Sequence, residues 1–162
     1  MRLITGLMLA VLVCPWAQAE LMDDVNDRGE LRIAVLADTP PYTVKQAQHL
    51  TGFGVELGQA LASELDVRAA FLETPADQIV SGVESGKYDI ALSQRQLEGL
   101  AEAGLDASQP YGEHALVIPF QKDNPAFETA LNNALQRIQA DGRLTALEQK
   151  WLSVPMQVTA GQ

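Results

Sequence analysis

His49 and His114 are the two side chains best suited to bind a metal or move a proton near neutral pH. They stand in different turn-rich segments with no cysteine or acidic cluster beside them, so they read as surface histidines and not as a zinc site. Gly82 to Lys87 comes near to a phosphate-binding loop. It has one residue too few between its glycines, and Tyr88 stands where a Ser or Thr would hold magnesium. Asp24 to Gly29 comes near to a calcium loop. Arg28 occupies a ligand position there, and Val35 stands where the closing Glu belongs. No Gly-x-Ser-x-Gly elbow is present, and Asp23-Asp24 reads as solvated. The sequence therefore calls for no cofactor, no metal and no catalytic residue, and its chemistry is that of binding.

Charge and length narrow the classes further. The chain has 162 residues, enough for one ordinary domain and its core. Its formal net charge is −10, with no basic stripe, which argues against nucleic acid and against anionic lipid as partners. Residues 1–19 read as a cleavable signal peptide. Arg2 gives the positive start, Leu3 to Pro15 the apolar run, and Ala17-Gln18-Ala19 the small-residue cleavage motif. The run is too short for a spanning helix of about 20 residues. Cys14 is the single cysteine, and Val13 before it does not suit lipidation. Cleavage after Ala19 would leave a periplasmic chain with no thiol and no disulfide.

The elements follow from periodicity. Leu31 to Ala37 predicts a buried strand that ends in the turn Asp38-Thr39-Pro40-Pro41. Val55, Leu57, Leu61 and Leu65 line one helix face. Val67 to Leu72 is a second strand, and Thr74-Pro75-Ala76-Asp77 has the form of a hydroxyl-capped helix start. Tyr88 to Leu92 is a third strand, Leu97 to Gly104 a short helix, and Ala115 to Phe120 a fourth strand. Asn124-Pro125 opens a long helix lined by Phe127, Leu131, Leu135 and Ile138, with Gly142 as its stop. Leu144, Leu147 and Trp151 predict a last helix packing back on the sheet. This alternation predicts an α/β fold, one mostly parallel sheet with helices on both faces. Residues 20–154 would form this single domain and 155–162 a frayed tail.

Read together, Leu31-Arg32-Ile33-Ala34-Val35, Pro40-Pro41-Tyr42, Gly52-Phe53, Gly86-Lys87-Tyr88-Asp89, Lys122-Asp123-Asn124-Pro125, Ala140-Asp141-Gly142 and Lys150-Trp151-Leu152 resemble the periplasmic solute-binding proteins of family 3, the amino-acid-binding type. The resemblance covers the chain beyond the signal peptide. What normally lies between Ser108-Gln109-Pro110-Tyr111 and Lys122, the second lobe of a two-lobed clamp, is missing. The resemblance thus implies a single periplasmic-binding-protein-like lobe, binding a small polar solute such as an amino acid, perhaps closed by homodimerisation, for an ABC transporter. The alternative is a non-transport accessory module, docking on a membrane transporter or sensor, that has lost the amino-acid pocket. Some members of the fold family resemble dehydratases acting on prephenate-like acids. Their sites draw on both lobes, so one lobe implies no enzyme.

Ligands of open α/β sheets sit beyond the carboxyl ends of strands, here Asp38 to Tyr42, Glu73 to Asp77 and Ser93 to Gln96. The candidate ligand contacts are Tyr42, Asp77, Ser93 and Arg95. The resemblance places Tyr42 near a pocket mouth and Ser93 at a hydrogen-bonding loop position. Tyr42 also reads as a packed turn aromatic, and Ser93 as a strand-end cap. Two departures stand out. Ala101 stands where the family carries an arginine that pairs with the ligand carboxylate, and Ala76 where it often carries a stacking aromatic. Gly54 likewise replaces the helix-opening acid. Arg95 sits nearby and reads either as an exposed loop arginine or as a substitute carboxylate partner.

Overall fold

A computed structural model describes residues 20–94 and 99–153. The expected signal peptide, the candidate contact Arg95 and the expected tail lie outside the described residues. Among the described residues no helix is long and apolar enough to cross a membrane.

The sheet is built from β1 (Glu30–Val35), β4 (Arg68–Glu73) and β5 (Ile90–Leu92), in the order β4-β1-β5 and all parallel. A small antiparallel hairpin, β2 (Val44–Gln46) with β3 (His49–Thr51), rises from the loop after β1. The chain order is α1 (Leu21–Arg28), β1, the hairpin, α2 (Phe53–Glu64), β4, α3 (Ala76–Glu84), β5, β6 (Leu105–Ala107), β7 (Pro119–Gln121), α4 (Pro125–Ala140) and α5 (Arg143–Trp151). β6 and β7 pair antiparallel.

Strand alternation sends side chains to two separate cores. Leu31, Ile33 and Val35 of β1 join Ile90 and Leu92 of β5 in a large cluster with α1, α2 and α4. Ala34 and Ala91, on the other face, meet Ile79 and Val83 of α3, with Tyr88 and Leu105. Helices therefore cover both faces of a parallel sheet, as the alternation of elements predicts. Gly82 makes the second core possible. A Cβ there would lie 2.4 Å from the Tyr88 ring, so the glycine of the failed phosphate loop serves close packing. Its neighbour in that motif, Gly86, sits at φ +74°, just past the end of α3.

One ion-pair hub stitches the amino ends together. Asp89 is fully buried. Its carboxylate accepts Arg28 Nη2 at 2.7 Å, Arg32 Nη2 at 2.7 Å and the Arg32 backbone N–H at 2.8 Å. A buried charge is tolerated only with such partners. The hub ties α1, β1 and β5 at one point, and the Asp89 hydrogen bond raises the pKa of Arg32.

Several sequence expectations need correction. Asp24 to Arg28 belong to α1, a helix the sequence reading did not foresee, and Gly29 is its left-handed C-cap. Thr74 does not cap α3. Pro75 holds the N-cap position without a side-chain bond, and the Thr74 hydroxyl donates to Leu72 O instead. Residues 99–104 form turns and not the expected short helix. The fourth strand is shorter than expected, Pro119–Gln121, and pairs with β6, which was not foreseen. α5 packs on α2 and α4 instead of on the sheet.

Candidate functional site

The carboxyl ends of β1, β4 and β5 bring the loops 36–43, 74–77 and 93–94 to one edge of the sheet. The first loop is fixed by the helix that follows it. Phe53 N–H donates to Pro41 O at 3.0 Å and Gly54 N–H to Tyr42 O at 2.9 Å. Two amides from the start of α2, which have no partner within their own helix, thereby find carbonyls in the loop. The approach is so close that a Cβ on Gly52 would lie 2.4 Å from Tyr42 O, and its φ of +124° suits glycine alone. This is why Gly52-Phe53 follows the Pro-Pro-Tyr turn.

The second loop is fixed by the ladder. Thr74 N–H donates to Val35 O at 2.8 Å, which extends the β1–β4 pairing by one rung. Its hydroxyl donates to Leu72 O at 3.0 Å. Between the two loops lies an open concavity of about 360 Å³ lined by Leu36, Ala37, Glu73, Thr74, Pro75 and Ala76. Its floor is mostly small and apolar. Its charged rim is Glu73, held at 3.0 Å by Lys45 from the β2–β3 hairpin.

The candidate contacts separate here. Ser93 directly follows β5 and is only 7% exposed, so it belongs to the strand end as expected. Asp77 is exposed in the first turn of α3, beside the concavity. Tyr42 is turned away from open solvent. Its ring meets Phe53 edge-on at 5.2 Å between centroids. With Tyr111, Leu116 and Leu152 it lines a crevice of about 10 Å³, room for about one water at most. Burial, then the nearby Glu148 carboxylate, pushes its phenol pKa up. The ring thus packs as a turn aromatic. Leu36, Ala37 and Thr74 line the concavity and were not among the candidate contacts. Leu36 and Ala37 follow the last residue of β1; the sequence reading carried that strand two residues too far and so hid them.

Ala76 lines the concavity and is exposed, and Ala101 is exposed in the turn region 99–104. Both departures from the family pattern are thus small side chains on open surface. His49 is exposed in β3 and His114 in the turn after Tyr111, well apart in the chain. Among the described residues no group of three or more His, Cys, Asp or Glu side chains could hold a metal ion.

The point where a second lobe would leave is closed by a hairpin. Ser108 N–H donates to Ile118 O and Ser108 Oγ accepts Ile118 N–H, each at 2.9 Å. Tyr111 and Leu116 then bridge, Tyr111 N–H to Leu116 O at 2.9 Å and Leu116 N–H to Tyr111 O at 3.1 Å. The four residues Gly112 to Ala115 make the turn. Glu148 of α5 holds it, accepting the Glu113 N–H at 3.2 Å. Tyr111 and Leu116 are buried. Beyond the β6–β7 ladder the two segments stay joined across the place of the missing lobe, through Ser108 with Ile118 and then the isolated Tyr111–Leu116 bridge.

Comparison with known proteins agrees with this geometry. Residues 31–154 match the profile of the bacterial extracellular solute-binding proteins, family 3. The L-cystine-binding protein TcyJ of Escherichia coli (strain K12) is 30% identical over 116 residues, covering 69% of this chain and 44% of that protein. The chain therefore spans less than half the length of this relative. Among solved structures, the ancestral amino acid-binding protein AncCDT-1, described as a precursor of cyclohexadienyl dehydratase, superposes with a TM-score of 0.75 at 20% identity, covering 82% of this chain and 99% of that one. The arginine-bound form of domain 1 from TmArgBP superposes with a TM-score of 0.65 at 21% identity, covering 71% of this chain and 98% of that one. At these identities the likeness is one of fold.

Proposed function

The chain belongs to the bacterial extracellular solute-binding proteins of family 3, and from that premise we propose that it is an exported, periplasmic lobe that binds a small polar solute of the amino-acid type. The observation that carries this reading is the concavity of about 360 Å³ between the loops after β1 and β4, at the strand ends where the loop after β5 also begins. The arginine-bound domain 1 of TmArgBP, a lobe of the same fold, supports the idea that one lobe can hold such a ligand. Asp77 and Ser93 would supply the polar contacts from the described residues, and Arg95 the carboxylate partner. Tyr42 would act from behind, by packing.

A single lobe leaves its solute half in water, since ligand pockets bury most of a ligand's surface. Affinity is therefore expected to be modest unless a second copy or a membrane transporter closes the site. The reading is one of binding. The Thr74 hydroxyl is already engaged with a backbone carbonyl.

A second reading has its own observation. Ala76 and Ala101 are exposed and small where the family pattern carries binding side chains, and Tyr42 is packed inward. These favour an accessory module in which the lobe itself is recognised by a membrane transporter or sensor protein. A thermal-shift screen of residues 20–162 against amino acids, polyamines and small carboxylates separates the two. A ligand that binds only the folded state stabilises it by about 2.7 kcal/mol at a hundredfold excess over its Kd. A saturable rise in Tm supports the solute binder. A well-folded protein with no rise across the panel rejects it and leaves the accessory module.

A further inference from the structure

The helices α1 and α4 exchange caps. Neither Glu20 nor Asn124, their own N-cap residues, makes a side-chain bond to its own helix. Glu20 Oε1 instead accepts the N–H groups of Ala126 and Phe127, the latter at 3.3 Å, in the first turn of α4. Asn124 Oδ1 accepts the N–H of Leu21, the first residue of α1, at 2.7 Å. Asn124 is itself fixed, its amide donating to Gln121 O at 2.9 Å and to Lys122 O at 3.0 Å. The first amides of each helix are otherwise without partners, and the Glu20 carboxylate also faces the positive end of the α4 dipole. Glu20 further accepts Asp23 N–H at 2.8 Å through its own carbonyl. Residue 20 is thus a built part of the fold, joined to a helix more than a hundred residues away.

It is also the residue that follows Ala17-Gln18-Ala19. We propose that Glu20 is the first residue of the mature protein and that the fold requires the leader to be cut at the Ala19–Glu20 bond and no further along. The step is a hydrolysis by a leader peptidase. The peptide C–N bond breaks, water supplies hydroxyl to the Ala19 carbonyl carbon and a proton to the Glu20 nitrogen, and the capping side chain is kept. A cut one residue later would strip the cap from α4 and leave Asn124 facing a bare chain end. The inference rests on the export reading above.

Two measurements test it. The first is the intact mass of the protein recovered from the periplasm of cells making the full chain; the expected mass begins at Glu20. A chain found uncut in the cytoplasm overturns both export and this inference. A periplasmic chain that begins at any other residue overturns this inference alone. The second compares Tm for residues 20–162, for the same chain carrying Glu20→Ala, and for residues 21–162. Loss of a cap is expected to lower Tm by about 2 to 8 °C in both altered chains, with Glu20→Gln in between. Equal Tm values for the wild-type chain and Glu20→Ala overturn the role given to the side chain.

Discussion

At the scale of single residues, Ser93 and Tyr42 are expected to part company. The family resemblance puts both at ligand-handling positions, yet one follows a strand and the other lines a crevice. Ser93→Ala removes a hydroxyl at the carboxyl end of β5, and a lost neutral hydrogen bond is worth about 1 kcal/mol. Solute affinity measured by calorimetry is expected to fall about fivefold. Tyr42→Phe keeps the ring that meets Phe53, and binding is expected to stay within about twofold; Tyr42→Ala empties a half-buried site and should cost about 3 kcal/mol of stability. An affinity loss in Tyr42→Phe larger than in Ser93→Ala would reverse these roles. Residue type alone did not separate the two. An aromatic after a Pro-Pro turn satisfies either role, and what decides is the edge-on contact with Phe53 and the closing of the crevice by Tyr111 from a distant part of the chain.

The elements were readable where one face of a long segment is apolar. α2 and α4 were found from their stripes, and β1, β4 and β5 from runs of β-branched and aliphatic residues, because in these segments local pattern and tertiary burial agree. The short pieces were not readable. β2, β3 and β6 have three residues each, too few for a period to show, and exist through pairing with a neighbouring strand. α1 escaped notice because only Leu21 and Val25 of its residues are buried, and its start is stabilised by Asn124 from far along the chain. The groove was half readable: the rule of carboxyl strand ends gave its location, while its lining by Leu36 and Ala37 depended on the register of β1 with β4. The Asp89 hub gives the element-scale test. Asp89→Ala leaves Arg28 and Arg32 without their carboxylate and is expected to cost about 3 kcal/mol in urea unfolding. An Asp89→Ala chain within 1 kcal/mol of wild type would show that the hub does not hold α1 and β5 to β1.

For the whole molecule, the charge pattern sets a window of stability. Burial holds the Tyr111 phenol neutral and pushes its pKa far up, and Tyr42 is raised in the same direction. A group whose folded pKa lies above its unfolded value contributes stability that is intact below the unfolded pKa, about 10 for tyrosine, and is lost as pH rises beyond it. On the acid side, hydrogen bonds from Arg143 and then Arg137 depress the Glu64 carboxyl. Its contribution is present above the usual glutamate range, about pH 4 to 5, and is lost as pH falls below it. Tm is therefore expected to be level through neutral pH, to fall above about pH 10 and again below about pH 4, with Tyr111→Phe flattening the alkaline fall. An alkaline fall that Tyr111→Phe leaves intact would place its cause elsewhere.

The hairpin of β6 and β7, closed by the Tyr111–Leu116 bridge, joins the segments on either side of the missing lobe, and the proposed solute loops lie at the carboxyl ends of the sheet. Whether they still grip is read most directly by an amide ¹H–¹⁵N NMR titration of residues 20–162 with the amino acids one at a time. The expected result is a set of saturable shifts confined to residues 36–43, 74–77 and 93–94 with at least one amino acid. Unmoved amides in those loops with every amino acid, in a well-dispersed spectrum, would contradict solute binding by this lobe.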